Sequence, residues 1–183
     1  MTLSNTQKSQ LTKRICFAHK YIPTSQKASE EAWQVRRHIW SFKKGQCQDV
    51  HIAAQTVIHL LEENFTRLDD VVLAVIPASN MVEHNDRYRD FCDEVCEATG
   101  ITNAFSHIKV QGNRIAIHDK KHSGRLQNTQ IISFDEEWFN GKQVIVFDDI
   151  ITKGQSYAVM ADTIEGFGAE VWGGCFLAKT SYC

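Results

Sequence analysis

The stretch Gln143–Ser156 (QVIVFDDIITKGQS) decides the fold of this chain. Val144–Phe147 is a short apolar run rich in β-branched residues, which predicts a buried strand. The run ends in two adjacent carboxylates, Asp148 and Asp149, and a polar loop separates them from the start of a helical pattern. A strand, a polar loop and a helix N-terminus together indicate an anion-binding site, because the first N–H groups of a helix are unpaired and carry partial positive charge.

The polar loop consists of Thr152, Lys153, Gly154, Gln155 and Ser156. Its hydroxyl and amide groups suit a phosphate, and the glycine lets the backbone approach one closely. The two carboxylates before it cannot bind a phosphate, but they suit ribose hydroxyls or a hydrated divalent metal. A sugar phosphate held across both parts is the simplest ligand. The alternative is an ordinary turn from strand to helix with two acids at the strand end.

The segment 144–156 resembles the phosphoribosyl pyrophosphate (PRPP) motif of type I phosphoribosyltransferases, in which apolar residues, two acids and two apolar residues precede Thr-x-Gly-x-Ser/Thr. Lys153 departs from the motif, which usually has a small residue there. The resemblance implies an α/β fold: a mainly parallel twisted sheet with helices on both faces. It covers residues 68–180, and it implies one domain over residues 1–183 in which residues 1–65 form a variable N-terminal hood.

A second segment carries a weaker resemblance within the same family. Arg87–Phe91 (RYRDF) is distantly similar to the Arg-Gly-Phe-Asn stretch of the competence-protein-F-like branch. The N-terminal zinc-binding cysteines of that branch have no counterpart in this sequence.

The resemblance implies transfer of ribose 5-phosphate from PRPP to an acceptor, with release of pyrophosphate. It also assigns roles to particular residues. The catalytic set is Asp148, Asp149, Lys121 and Arg125; the 5′-phosphate group is held by Thr152, Lys153, Gly154, Gln155 and Ser156; the pyrophosphate is held by Ala78 and Ser79. Mg²⁺ is implied as the cofactor, held through PRPP oxygens and water near the two acids and not by direct protein ligands.

A basic loop supplies the expected lid of this site. Lys120–Asn128 contains Lys120, Lys121, His122 and Arg125 among small and polar residues. It occupies the place of the flexible hood that closes over PRPP in the family. Cations brought in by closure would stabilise the charge of the leaving pyrophosphate and exclude water. A solvated surface loop is the alternative.

The sequence leaves alternatives for the acceptor and for whether the protein is a catalyst. Thr152 stands where the 6-oxopurine enzymes carry an acid, which argues against hypoxanthine or guanine but leaves orotate, adenine or a non-nucleobase acceptor. A rival function is a PRPP-binding or nucleotide-binding regulatory protein without transferase activity, which Lys153 and the unusual N-terminal half favour. A third is an interaction protein that uses the aromatic and basic helix around Trp33–Trp40 against nucleic acid or a protein.

Four apolar segments are predicted to form one sheet: Val71–Ile76, Phe105–Val110, Val144–Phe147 and Glu170–Leu177. The first is a continuous apolar run, which is typical of a strand buried on both faces. Asn113–His118 is predicted to form a further strand, joined to Phe105–Val110 by a turn at Gln111–Gly112. Residues 1–13 are polar and are predicted to be mobile.

Composition narrows the class of protein. The 183 residues are 43% hydrophobic and 23% charged, with a formal net charge of −2, as in ordinary globular domains. The near-neutral charge argues against a nucleic-acid partner, and the sequence has no apolar run long enough for a membrane span. Six cysteines without a CxxC pair indicate free thiols in the cytoplasm. The resemblance is compatible with a homodimer.

Overall fold

The computed structural model describes residues 2–113 and 129–182 of the chain. Its helices are α1 (Asn5–Gln10), α2 (Glu30–Lys43), α3 (Cys47–Asn64), α4 (Met81–Thr99), α5 (Glu136–Phe139) and α6 (Gln155–Gly166). Its strands are β1 (Arg14–Tyr21), β2 (Val71–Val75), β3 (Thr102–Asn103), β4 (Ile108–Gln111), β5 (Ile131–Phe134), β6 (Gln143–Ile151) and β7 (Glu170–Thr180).

A parallel sheet in the order β1-β7-β6-β2-β3 forms the centre of the described structure. Successive residues of its strands point to opposite faces, and each face has its own apolar core. Leu73 and Ile145 pack with Phe42 of α2 and with residues of α3 and α4. Val72 and Val144 pack on the other face with α5 and α6. The prediction of a mainly parallel sheet with helices on both faces is confirmed.

One predicted strand of this sheet is wrong. Phe105–His107 is a 3₁₀ turn that leads the chain away from the sheet, and Ile108–Gln111 pairs antiparallel with β5 in a separate two-stranded sheet. The place beside β2 is taken by the short β3. The alternating burial of β4 is that of a strand with one buried face, whereas the central strands of the parallel sheet are buried on both.

The turn predicted at Gln111–Gly112 is also wrong as a hairpin connection. The antiparallel partner of β4 is Ile131–Phe134, and the pairing continues to the hydrogen bond from Thr129 N–H to the carbonyl of Asn113. The remainder of the predicted strand, residues 114–118, lies outside the described residues.

Residues 1–65, interpreted from the sequence as a variable hood, contribute a strand and a helix to the main sheet and its core. β1 pairs with β7 as an edge strand of the main sheet, and α3 buries its Val57 and Leu61 in the core beneath the sheet. A regular apolar stripe on α3 carries this contact, so the helix belongs to the domain core. The N-terminal part of the chain therefore completes the sheet at its β7 edge.

The first residues of the chain are ordered, contrary to the sequence prediction. Ser4 caps α1 in a capping box with Gln7. Gln10 donates to Glu165 of α6 at 2.6 Å, and Lys13 forms an ion pair with the same carboxylate. These contacts dock α1 beside the helix that follows the polar loop. Among the described residues, no helix is both long enough and apolar enough to cross a membrane.

Candidate active site

The two acids lie on the part of β6 that extends beyond its pairing with β2. β6 pairs with β7 as far as Ile151, but its pairing with β2 ends at Phe147. The chain beyond β2 reaches Pro77, which has no N–H to continue the ladder. Asp148 and Asp149 therefore belong to the strand, contrary to the prediction that the strand ends at Phe147, and they line a cleft on the side that β2 leaves free.

The polar loop leads directly into the start of α6. Gly154 adopts a left-handed conformation with φ 71° as the N-cap, and no side chain caps the first turn of this helix. The start of a helix without a side-chain cap suits an anion, because its first N–H groups have no intrahelical acceptors. The loop residues 152–156 line a cavity of about 220 Å³ together with Asp148. All five residues predicted to bind the 5′-phosphate are thus brought together.

A second cleft of about 380 Å³ adjoins this cavity, and the two share Asp148, Thr152 and Ser156 among their lining residues. Ser79 lines the second cleft, as predicted for a pyrophosphate site, while its hydroxyl donates to Glu83 at 2.6 Å. Ala78 is buried, and its carbonyl accepts a hydrogen bond from Gln130 at 2.6 Å. Of the two residues predicted for pyrophosphate, the structure places Ser79 at the cleft.

Asp149 is held by two cations that the sequence did not point to. Its side chain is 6% exposed; Lys43 Nζ lies 3.1 Å from one carboxylate oxygen and Arg87 Nη1 lies 3.2 Å from the other. Arg87 also donates from Nη2 and Nε to the backbone carbonyl of Lys43, at 2.9 and 3.3 Å. One guanidinium therefore joins the end of α2, the second turn of α4 and the acid on β6.

These contacts bear on Lys153, the departure from the motif. A lysine folded across the acids would neutralise them and exclude ribose. In the part of the chain that the structure describes, the cations paired with Asp149 are Lys43 and Arg87, and Lys153 lines the loop cavity instead. Among the described ion pairs, Lys153 therefore does not neutralise Asp149.

Sequence reasoning missed four cleft residues: Tyr21, Lys43, Arg87 and Thr180. Thr180 closes the end of β7, where its hydroxyl lies 2.9 Å from that of Thr152. Lys43 belongs to a basic pair that looks like a helix end. Arg87 opens the RYRDF segment noted in the sequence, but its partner Asp149 lies 62 residues away. Residues distant in sequence become neighbours only through the sheet order.

The pKa of Asp148 is raised to about 7, chiefly because burial disfavours its charged form and secondarily because Asp149 repels it. The N–H of Asp149, which donates to Asp148 Oδ1 at 2.8 Å, and the charges of Lys43 and Arg87 act in the opposite direction. The two acids are therefore not equivalent. Asp149 is an ion-paired carboxylate, whereas Asp148 exchanges its proton near neutral pH at the junction of the two cavities.

Asp148→Asn is expected to stabilise the fold at alkaline pH. A carboxyl group whose pKa is raised in the folded state contributes stability below its unfolded pKa, and this is lost as pH rises through about 7. The variant should therefore equal the wild type near pH 4 and exceed its free energy of unfolding by about 1–2 kcal/mol at pH 8, a figure reduced for partial exposure. Urea denaturation across pH measures this, with the exposed Asp90→Asn as control. A difference that does not vary with pH would contradict the assignment.

The basic lid cannot be placed in this geometry. Lys120–Asn128, including the predicted catalytic residues Lys121 and Arg125, lies outside the described residues. The β4–β5 pair carries both ends of the chain segment that contains them, and Gln130, at one of those ends, contacts Ala78 beside the cleft.

Asp148 is the carboxylate of the cleft that would approach a hydrated Mg²⁺. No group of three or more potential metal-ligating side chains occurs among the described residues. Asp149 is already compensated by two cations, which leaves Asp148 as the carboxylate beside the junction. A magnesium ion that keeps its waters and binds mainly to substrate phosphates requires no more than that.

The chain matches no protein-family model and no curated protein. Its fold is similar to that of solved phosphoribosyltransferases. One is a hypoxanthine-guanine phosphoribosyltransferase from Bacillus anthracis, with 16% identity, 77% of this chain and 70% of that chain covered, and a TM-score of 0.40. Another is a purine phosphoribosyltransferase from Pyrococcus horikoshii, with 15% identity, 87% of each chain covered, and a TM-score of 0.37. Likenesses this distant do not establish an activity for this chain.

Proposed function

We propose that this protein binds PRPP and transfers its ribose 5-phosphate to an acceptor, with release of pyrophosphate. The observation that carries the proposal is the junction of two cavities at Asp148. One cavity is the uncapped start of α6 with the loop 152–156, and the other contains the acid pair and two cations. A ligand with a phosphate at one end, a ribose in the middle and a diphosphate at the other matches that order of groups.

The roles follow from the chemistry of each part. Amides and hydroxyls of the loop 152–156 bind the 5′-phosphate, and Asp148 accepts from the ribose hydroxyls. The pyrophosphate lies on the side of Ser79, with Mg²⁺ held by its oxygens and by water. Magnesium would offset the charge that builds on the leaving pyrophosphate. Lys121 and Arg125 would add cations when the lid closes.

A binding-only protein of the same fold is the second candidate. Its support is that Asp149 forms two ion pairs in the free protein, so one of the two acids acts within the fold. Such a protein would bind PRPP or a nucleotide through the same loop and would release no pyrophosphate. No group of side chains among the described residues indicates which acceptor a transferase would use.

Calorimetric titration of PRPP with and without Mg²⁺ tests the ligand, and a pyrophosphate-release assay over nucleobases tests the reaction. We expect saturable PRPP binding that Mg²⁺ strengthens, followed by release with at least one acceptor. Binding without release for any acceptor would favour the regulatory protein. No binding of PRPP would refute both candidates.

A further inference from the structure

Lys43 lines the cleft from an end of α2 that is fixed by contacts with α4. It is the last residue of α2, and its backbone carbonyl accepts two hydrogen bonds from Arg87 of α4. The next turn is also tight: Gly45 has φ 66°, and a side-chain carbon there would lie 2.6 Å from the carbonyl oxygen of Asp86. The end of α2 is therefore fixed against α4, and the ammonium is delivered to Asp149.

The two cations on Asp149 differ in freedom. Arg87 is 11% exposed, and it uses three of its nitrogens on Asp149 and on the carbonyl of Lys43. Lys43 is 41% exposed, and its ammonium reaches Asp149 from the end of a flexible stem. A guanidinium stays charged and keeps its fork geometry, whereas a lysine ammonium is a movable point charge. Lys43 can thus leave Asp149 while Arg87 continues to neutralise it.

Acidic side chains surround the ammonium of Lys43. The same cleft contains Asp148, Asp149 and Ser79, and the hydroxyl of Ser79 is bonded to the carboxylate of Glu83. Asp149 stays paired with Arg87, but the carboxylates of Asp148 and Glu83 also lie around the place proposed for a diphosphate, and their repulsion would oppose an incoming anion. A mobile ammonium already in the cleft would offset it.

We propose that Lys43 is an exchangeable diphosphate-binding residue, which pairs with Asp149 in the free protein and moves to the diphosphate of the ligand when it enters. This rests on the proposed binding of PRPP and deepens it, because it makes Lys43 the group that distinguishes a diphosphate-bearing ribose phosphate from its monophosphate counterpart. Arg87 remains on Asp149 throughout and acts as a positioning residue.

The test compares PRPP with ribose 5-phosphate, which lacks the diphosphate, by calorimetric titration. Lys43→Met keeps the length of the stem and removes the charge. Loss of one charged hydrogen-bonding partner should weaken PRPP binding by about ten- to a hundredfold. Binding of ribose 5-phosphate should change by less than about threefold, because its phosphate lies at the loop 152–156, away from Lys43. Lys43→Arg should restore most of the preference for PRPP.

Lys44→Met is the matched control, since it removes the neighbouring lysine and should leave both ligands unaffected. Thermal unfolding of each variant separates loss of fold from loss of contact. Equal weakening of both ligands by Lys43→Met, or no weakening of either, would overturn the proposal. A wild type that binds both ligands equally would overturn the diphosphate role of Lys43 but leave the phosphate loop standing. A wild type that binds neither would refute the proposed function itself.

Discussion

Arg87→Met is expected to lower the free energy of unfolding by about 2–4 kcal/mol, because it leaves a buried carboxylate with half of its compensation. Asp149 is 6% exposed and would retain only the ion pair with Lys43. The backbone carbonyl of Lys43 would also lose two donors at the end of α2. Unpaired buried polar groups carry most of the cost of such a change.

Urea denaturation at neutral pH measures this loss. Arg89→Met is the matched control, because Arg89 is exposed on the same helix. The double variant Arg87→Met/Asp149→Asn should recover part of the stability, because it also removes the buried negative charge that Arg87→Met leaves undercompensated. A single variant as stable as the wild type would show that Lys43 and solvent compensate Asp149 without the guanidinium.

Gly154→Ala should weaken binding of ribose 5-phosphate by at least about tenfold, the equivalent of about 1.4 kcal/mol. The residue has φ 71°, a region that costs a side-chain-bearing residue about 1–2 kcal/mol. The added carbon would also lie 2.5 Å from Cδ2 of Leu11, which follows α1. The backbone strain or the contact with Leu11 would displace the loop, and the first amides of α6 would then no longer point at one phosphate.

Gly166→Ala provides the control for this change. Gly166 ends the same helix, and an added carbon would meet nothing within 4 Å. Leu11→Ala in the Gly154→Ala background should restore part of the affinity, because it removes the contact but not the backbone strain. Calorimetry with ribose 5-phosphate measures all three. Unchanged affinity in Gly154→Ala would place the phosphate site elsewhere.

Local pattern sufficed for the central part of the fold and of the candidate site. The apolar run Val71–Ile76 forms a strand over Val71–Val75 that is buried at every residue, and residues 152–154 form the loop before α6. Both depend on forces that act within a short segment. An unbroken apolar run requires cover on two faces, and a glycine before a helix permits the left-handed turn that opens its first amides.

Segments whose state depends on a distant partner were predicted less well. Phe105–Val110 is apolar enough for the main sheet, but β4 found its partner in β5, and the two-residue β3 took the place beside β2. The polar start of the chain looked mobile because its anchor, Glu165, lies more than 150 residues away. A sequence pattern shows that an apolar or polar face must be packed or paired, but it does not show which distant residues pack or pair with it.

The sequence by itself determined the central strand, the acid pair and the polar loop, because their residues are contiguous in the chain. Only the tertiary structure decided which of the two acids is ion-paired and which one lies where the two cavities meet. Lys43, Arg87 and Asp149 lie on two helices and a strand, and the packing of these elements brings the two cations to 3.1 and 3.2 Å from the carboxylate of Asp149. Charges interact through space, and their distances are set by packing, which no short stretch of sequence contains.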